Sequence, residues 1–212
     1  MASGRLPGTE RPYFTPGFPL ALPLTHRVRI KSFDGPPTAT YPPIAADPIV
    51  SDTGELAWHV SKQTGMVTVD TDRTQALIGF MKENPKVDLK NLSVDLSNGF
   101  ATVVLSSTEA KPISRASLLL MTTGSRVANT GMVWNASRGG LSNQGGSPTL
   151  IEPVSGKVTL RDLRGASSVV AYPLDGSGNP IGVGIVAEKS AAGWTFPIGE
   201  TPTTWYRIAI KR

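Results

Sequence analysis

The chain has 212 residues, with 22 glycines, 18 prolines and no cysteine, and only 17% of its residues are charged. This composition excludes a disulfide scaffold, a thiolate metal site, a cysteine nucleophile and a coiled coil. The net charge of +5 is spread along the chain, and no apolar run approaches the roughly 18 residues of a membrane-spanning helix. We therefore expect a β-rich domain that binds neither nucleic acid nor a membrane. Nucleic-acid binding typically needs denser runs of basic residues with interleaved aromatic residues.

The N-terminal quarter of the chain is rich in proline. Proline fixes φ and lacks an N–H donor, so residues 1–23 are predicted to form an extended lead-in, a junction to another domain. Alternating apolar and polar residues over Leu24–Phe33 predict the first strand. Further prolines between positions 36 and 48 predict a long irregular connection that ends at the turn 51–54.

From Glu55 onward, short strands separated by turn residues are predicted. A loop ending at Gly65 predicts a hairpin, and Ser97-Asn98-Gly99 predicts a second hairpin turn between Val87–Leu96 and Phe100–Ser107. The apolar positions change parity within Val87–Leu96, which indicates a bulge. Ser114–Val127 is predicted as a strand, with a helix over its first half as the alternative.

The second half continues this pattern. A Gly/Ser/Asn loop is predicted at 137–148, and a strand kinked at Pro153 over Thr149–Leu160. The remaining predicted strands are Met132–Ala136, Ser168–Leu174, Ile181–Val186, Trp194–Ile198 and Thr204–Ile210. About eleven short strands without a convincing helix predict an all-β fold, an antiparallel β-sandwich of the jelly-roll or immunoglobulin-like type, as a single domain over residues 24–212.

Catalytic signals are weak in this sequence. The motifs of zinc proteases, serine hydrolases, β-lactamases and phosphate-binding loops are absent, and His26 and His59 stand alone. A glycosidase needs two carboxyl groups about 5 to 9.5 Å apart, for which Glu55, Glu109 and Glu152 are the candidates. Each lies near a turn or a proline, where a solvated carboxylate is expected. We predict no catalytic residue and no metal ligand.

Two acidic stretches resemble calcium loops only in part. Asp70-Thr71-Asp72 and the segment 175–179 carry alternating oxygen donors, but neither has the distal glutamate of a full calcium loop. Asp and Asn also cap their own turns, which explains both stretches. No cofactor is predicted, and a structural calcium ion is kept as a minor alternative.

Aromatic side chains are the better candidates for a binding site. A flat ring complements the C–H face of a sugar, while neighbouring polar groups meet its hydroxyls. Trp134 lies beside the polar Gly/Asn loop and Trp194 lies at a predicted strand end. The predicted carbohydrate-binding residues are Trp134, Trp194, Trp58 and Tyr172. Trp205 and Tyr206 are consecutive, so their side chains are expected on opposite faces of the last strand.

Four stretches together resemble a known group of proteins. They are Ile49–Leu56, Val67–Ala76, Val127–Trp134 and Trp205–Ile208. Over roughly residues 24–212 the chain resembles the β-sandwich that follows the (β/α)8 catalytic barrel in large bacterial cellulase-superfamily glycoside hydrolases. In such enzymes the catalytic carboxylates belong to the barrel. The resemblance therefore implies an accessory module that packs on the barrel, binds polysaccharide, or does both.

These observations lead to one main hypothesis and two alternatives. The main hypothesis is a non-catalytic domain, similar to a carbohydrate-binding module, of a secreted or periplasmic bacterial glycoside hydrolase, with a plant-type β-glucan or related polysaccharide as its ligand. The first alternative is a small jelly-roll glycosidase that uses two of the three glutamates. The second is a purely structural module, which would expose an apolar patch where the catalytic barrel docks.

Overall fold

The computed structural model describes residues 21–29, 41, 43–45, 47–60, 64–84 and 87–212. Within them the chain is almost entirely β structure. Helical geometry is limited to α1 (Leu22–Thr25) and a 3-10 turn at Ile113–Arg115. The strands form two packed antiparallel sheets and a projecting arm, which confirms the predicted all-β, sandwich-like class.

The larger layer is a nine-stranded antiparallel sheet. Its strands in spatial order are β1 (Ile49–Val50), β2 (Leu56–His59), β3 (Met66–Asp70), β4 (Thr74–Phe80), β6 (Phe100–Ser107), β7 (Leu118–Gly124), β17 (Trp205–Lys211), β13 (Ser168–Leu174) and β14 (Ile185–Val186). The smaller layer has four strands, β15 (Glu188–Ser190), β16 (Gly193–Ile198), β12 (Gly156–Leu160) and β5 (Leu92–Leu96).

The core lies between the two layers, because each contributes alternate side chains from its inner face. Central strands of the large sheet contribute Val103, Leu105 and Met121, none of which is exposed to solvent. Val158 and Phe196 of the small sheet are cross-strand neighbours and are buried to the same extent. The period-2 alternation of the sequence thus places one residue in two inside the sandwich.

Residues 127–151 leave the sandwich as a separate antiparallel ribbon, which we call the β-arm. It pairs β8 (Val127–Thr130) with β11 (Gly146–Ile151), and β9 (Val133–Trp134) with β10 (Leu141–Asn143). Every residue of β9, β10 and β11 is exposed. The prediction of a Gly/Ser/Asn loop at 137–148 is therefore wrong in part, because this segment contains β10 and the start of β11.

Several local predictions are corrected in the N-terminal part. A strand was predicted to start at Leu24, but the chain forms α1 there, and the His26 N–H donates to the Leu22 carbonyl. The part of that predicted strand from residue 30 onward lies outside the described residues. Residues 1–20 of the predicted extended lead-in 1–23 and residues 36–40 of the predicted irregular connection also lie outside them, whereas Leu22 and Pro23 at the end of that lead-in belong to α1 and are not extended. Part of the predicted irregular connection is strand β1, which pairs with β2.

The second predicted hairpin, at Ser97-Asn98-Gly99, is also wrong. β5 and β6 lie in different sheets, so this turn passes from one layer of the sandwich to the other. The buried Asn98 amide explains the crossing, because it donates to the Pro153 carbonyl at 3.0 Å and accepts the Ser155 N–H at 2.8 Å. The turn is thereby tied to the segment before β12 rather than to a hairpin partner.

Three further interpretations are settled by the strand boundaries and hydrogen bonds. Ser114–Val127 contains strand β7, which confirms strand over helix. The parity change predicted as a bulge in Val87–Leu96 lies outside the strand, because β5 begins only at Leu92 and the Leu89 N–H bonds to the Leu92 carbonyl in a turn. The stretch Thr149–Leu160 is two strands, β11 and β12, and Pro153 lies in the break between them.

Candidate functional site

Between β2 and β7 the outer face of the large sheet is mostly apolar, which is unusual for a face that does not line the core, and Arg207 on β17 borders this part beside Leu120. Cross-strand pairing places Trp58 beside Val67 and Val67 beside Ile78, so these three side chains share one face. We call this surface the apolar face. It consists of Leu56, Trp58, Val67, Val69, Ile78, Phe80, Phe100, Val104, Leu118 and Leu120. Phe80 and Phe100 meet edge to face at 5.4 Å.

The small sheet provides a control within the same molecule. Its outer face carries polar or charged side chains at cross-strand neighbours, with Lys157 opposite Asp95 and Thr159 opposite both Ser93 and Thr195. The Thr159 and Thr195 hydroxyls lie 2.9 Å apart and hydrogen-bond to each other. Antiparallel strands in contact with water typically show this polar pattern. The two outer faces of one sandwich therefore differ in chemistry.

The apolar face is large enough to act as an interaction surface. It spans four strand spacings from β2 to β7, about 19 Å, and its strands of four to eight residues extend about 20 Å on average. The resulting area of about 390 Å² lies within the ~300–600 Å² of the largest apolar patch on a typical monomer, which is often functional. Leu56, Leu118 and Leu120 keep between 36% and 43% of their surface exposed.

The four predicted carbohydrate-binding aromatics do not form one site. Trp134 lies on the β-arm opposite Leu141, with 51% of its surface exposed, whereas Trp58 belongs to the apolar face with 38% exposed. Tyr172 lies on β13, and the Arg207 guanidinium covers one face of its ring at 4.9 Å. Trp58 and Tyr172 lie on the same outer face of the large sheet but six strand spacings apart, about 29 Å, and Trp134 lies on the β-arm, so these rings do not form one site.

Trp194 occupies a different environment from the other three. It belongs to the hydrophobic core and keeps 9% of its surface exposed. It is the cross-strand neighbour of Leu160, which is fully buried, and the Lys189 ammonium group lies 5.3 Å from the centre of its ring. Because one ring face is covered and the side chain packs inside, Trp194 has no free face on which a sugar could stack.

The three candidate glutamates do not meet either. The Ser125 hydroxyl lies 2.8 Å from both the Phe100 carbonyl and the Glu152 carboxylate, which places Glu152 at the start of β6, whereas Glu109 follows its end. The length of β6 separates them by about 23 Å. Glu55 and Glu109 are separated by the three strand spacings from β2 to β6, about 14 Å. Both separations exceed the distance that glycosidase chemistry requires.

Both carboxylates of the predicted calcium stretch Asp70-Thr71-Asp72 are engaged by other side chains or by the backbone. Asp70 accepts the Lys90 N–H and the Gln75 amide, and Asp72 pairs with the Lys90 ammonium at 3.5 Å. Within the described part of the chain, no three acidic or histidine side chains gather closely enough to hold a metal ion. In the same part, no helix is long and apolar enough to cross a membrane.

A groove that sequence reasoning did not identify lies beside Trp205. It has a volume of about 280 Å³ and is lined by residues from the β-arm, the loop after β13 and the segment before β17. Trp205 is 40% exposed and Tyr206 is 1% exposed, which confirms that the two side chains point to opposite faces. The sequence signal was present in this alternation, but only the fold brings Trp205 close to Asp175 and Ile151.

Asp175 at this groove is held ionised by the backbone of its own turn. Its Oδ1 accepts the N–H groups of Asn179 and Ser177, both at 2.8 Å. These two hydrogen bonds, led by that of Asn179, keep the pKa of the Asp175 carboxyl below its usual value. Thr203 fixes the neighbouring strand start, because its hydroxyl donates to the Leu174 carbonyl and accepts the Trp205 N–H.

Comparison of the chain with protein-family models, curated proteins and solved structures finds no match.

Proposed function

We propose that this chain is a non-catalytic accessory domain of a polysaccharide-degrading enzyme, and that its apolar face packs on the catalytic barrel of that enzyme. The observation that carries the proposal is the contrast between the two outer faces of the sandwich. The small sheet presents polar pairs to solvent, whereas the large sheet presents rows of large apolar side chains. A sheet apolar on both faces is the pattern of a sheet covered on both faces.

The chemistry of this surface indicates a neutral, apolar partner surface. In the described structure, the cross-strand rows from Trp58 to Thr102 and from Leu56 to Thr122 contain no charged side chain. Interface cores are typically depleted of charge and enriched in aromatic residues. The resemblance to sandwiches that follow a (β/α)8 barrel supplies the identity of the partner, and the separation of the three glutamates favours a non-catalytic role.

A charge-insertion experiment tests this proposal. Leu118→Lys and Leu120→Lys together place two ammonium groups in the apolar face, and both positions are already more than one third exposed, so the fold should tolerate them. The control, Thr159→Lys with Thr195→Lys, puts the same charge on the polar outer face of the small sheet. Each protein is co-expressed with the catalytic barrel of the enzyme and analysed by size-exclusion chromatography and calorimetry.

We expect the wild type and the control to co-elute with the barrel, and the face variant to bind at least about tenfold more weakly because it would bury unpaired charge. The proposal is contradicted if the wild type does not associate with the barrel. It is equally contradicted if both variants associate as tightly as the wild type.

Polysaccharide binding is the second candidate function, and the exposure of Trp134 favours it. The indole is half exposed on the β-arm, among polar neighbours such as Asn135 and Ser137, which bond to each other at 3.1 Å. Affinity electrophoresis in gels containing β-glucan would test it with Trp134→Ala, Trp58→Ala and Tyr172→Ala. Retardation of the wild type that Trp134→Ala abolishes would support this role, and absence of retardation on any glycan would contradict it.

A further inference from the structure

The groove beside Trp205 combines an aromatic wall, aliphatic walls and a carboxylate. Its aromatic wall is the indole of Trp205, which is 40% exposed. Ile151 from the end of the β-arm and Ile181 from the loop after β13 add aliphatic surface, and Asp175 and Thr204 add polar groups. These residues come from four separate parts of the chain, so the groove exists only in the folded domain. Trp205 is the cross-strand neighbour of Thr122 on β7, so its indole lies on the outer face of the large sheet and borders the apolar face.

Asp175 has one oxygen available for a ligand. Its Oδ1 is occupied by two backbone N–H groups, whereas among the described residues Oδ2 has only the Asn179 side-chain amide at 3.5 Å, the outer limit of a hydrogen bond. The turn fixes the carboxylate before any ligand arrives, which reduces the entropy lost on binding. An ionised carboxylate accepts hydrogen bonds from hydroxyl groups and repels anions.

We infer that this groove binds one pyranose ring of a neutral polysaccharide, with a C–H face of the sugar on the Trp205 indole and a hydroxyl donating to Asp175 Oδ2. An indole and aliphatic walls match the apolar faces of a sugar ring, and the single carboxylate matches its hydroxyls. The inference rests on the second candidate function, polysaccharide binding, and assigns it a site different from Trp134. It does not depend on packing against a barrel.

The size and composition of the groove restrict the ligand. A volume of about 280 Å³ lies just below the ~300–1,000 Å³ of pockets that enclose drug-sized ligands, so the groove takes a terminal ring rather than a long chain segment. Quaternary ammonium groups are recognised by cages of several aromatic rings, whereas Trp205 is the one aromatic residue among those that line this groove. Anionic sugars are disfavoured by Asp175.

The experiment uses the whole chain and reads each tryptophan separately. The four indole N–H signals are assigned in a proton–nitrogen spectrum by single Trp→Phe variants, and the protein is titrated with methyl β-glucoside, cellobiose, cellotriose and cellohexaose. We expect the Trp205 signal to shift with saturation while the Trp134 signal stays constant. Because one ring fills the groove, the affinity should be nearly constant from cellobiose to cellohexaose.

Variants distinguish this site from the other aromatics. Trp205→Ala should weaken binding about tenfold or more through loss of the stacking surface. Asp175→Asn retains an Oδ1 that can accept the two backbone N–H groups but loses the charge, and should weaken binding about fivefold. Val186→Ala is the control, because this exposed apolar residue of β14 does not line the groove, and it should bind like the wild type. Trp134→Ala separates the two candidate sites.

Each other outcome overturns the inference in a recognisable way. If glucans bind but Trp134→Ala abolishes binding and Trp205→Ala does not, polysaccharide binding stands and the groove assignment is refuted. If no oligosaccharide of the series shifts any indole signal, both polysaccharide binding and the groove assignment are refuted for this glycan class. If n-butylamine shifts the Trp205 signal and the sugars do not, the groove is a site for a cationic side chain instead.

Discussion

Gln75 should be one of the residues that hold the two sheets together. It lies on β4 and has no exposed surface. Its amide donates to Asp70 Oδ1 at 2.9 Å and lies 3.4 Å from Asn91 Oδ1, and its carbonyl accepts the Asn91 N–H at 3.0 Å. Asn91 in turn donates to the Arg161 carbonyl after β12. This network links the large sheet to the end of the β5–β12 pair at which Asn91 and Arg161 are neighbours.

Gln75→Leu keeps a side chain of similar size and removes its hydrogen bonds. The Asn91 N–H then loses its partner in a buried environment, which costs about 1–3 kcal/mol. Asp70 keeps the Lys90 N–H, so the loss there is about 0.5–1.5 kcal/mol. Since the apolar leucine offsets part of this, we expect the free energy of unfolding to fall by about 2–3 kcal/mol.

Gln75→Glu gives the same site a dependence on pH. The new carboxylate would be buried and close to Asp70, so its folded pKa should rise above the unfolded value of about 4.3. A raised folded pKa means that the native state binds the proton more tightly. The variant should therefore be least stable near pH 7 and approach the wild type as the pH falls below about 4.

Urea unfolding followed by tryptophan fluorescence measures both effects. Ser137→Ala is the control, because it removes only an exposed hydrogen bond to Asn135, and it should change the free energy of unfolding by less than about 0.5 kcal/mol. The reasoning about the Gln75 network is refuted if Gln75→Leu behaves like this control. It is also refuted if the destabilisation by Gln75→Glu does not diminish at low pH.

Three further outcomes are expected from single sites. Thr123→Val should leave the free energy of unfolding in urea unchanged or raise it by up to about 1 kcal/mol, because the buried Thr123 hydroxyl has no hydrogen-bond partner among the described residues. Gly156→Ala should lower the melting temperature by several degrees, because a Cβ at this position would lie 2.2 Å from the Asp95 carbonyl oxygen. Gly176→Ala is its control, because a Cβ there meets open space and should have little effect on the melting temperature. Carbon NMR should show that the pKa of the Asp175 carboxyl lies below its ordinary value of 3.8. Because the folded pKa is lowered, the carboxylate contributes fully to stability above pH 3.8, and this contribution is lost as the pH falls through the folded pKa.

The sequence by itself determined the class of the fold and most of its turns. Strict alternation in segments such as Phe100–Ser107 specifies strands, because only one face of each can enter the core. The loop ending at Gly65 does join the paired strands β2 and β3 as predicted. These features depend on residues close together in the chain, which sequence patterns record directly.

Other features depend on which distant strands pair, and the tertiary structure alone decided them. The Asn98 turn has the local signature of a hairpin, yet its amide bonds to the segment before β12 and carries the chain into the other sheet. Alternation also cannot tell which tryptophan faces the core. Trp194 and Trp205 both lie on strands near the C terminus. The Trp194 side chain is buried in the core between the sheets, whereas the Trp205 ring is partly exposed and borders the groove.

The same limit applies to the surfaces from which function is proposed. From β2 to β7 the large sheet is mostly apolar on both faces, and this becomes visible only when β2, β3, β4, β6 and β7 are placed side by side. The groove beside Trp205 likewise needs residues from parts of the chain more than fifty positions apart, Ile151 and Trp205. Local alternation therefore specifies strands, whereas long-range pairing and packing decide which side chains meet and which remain free to bind a partner.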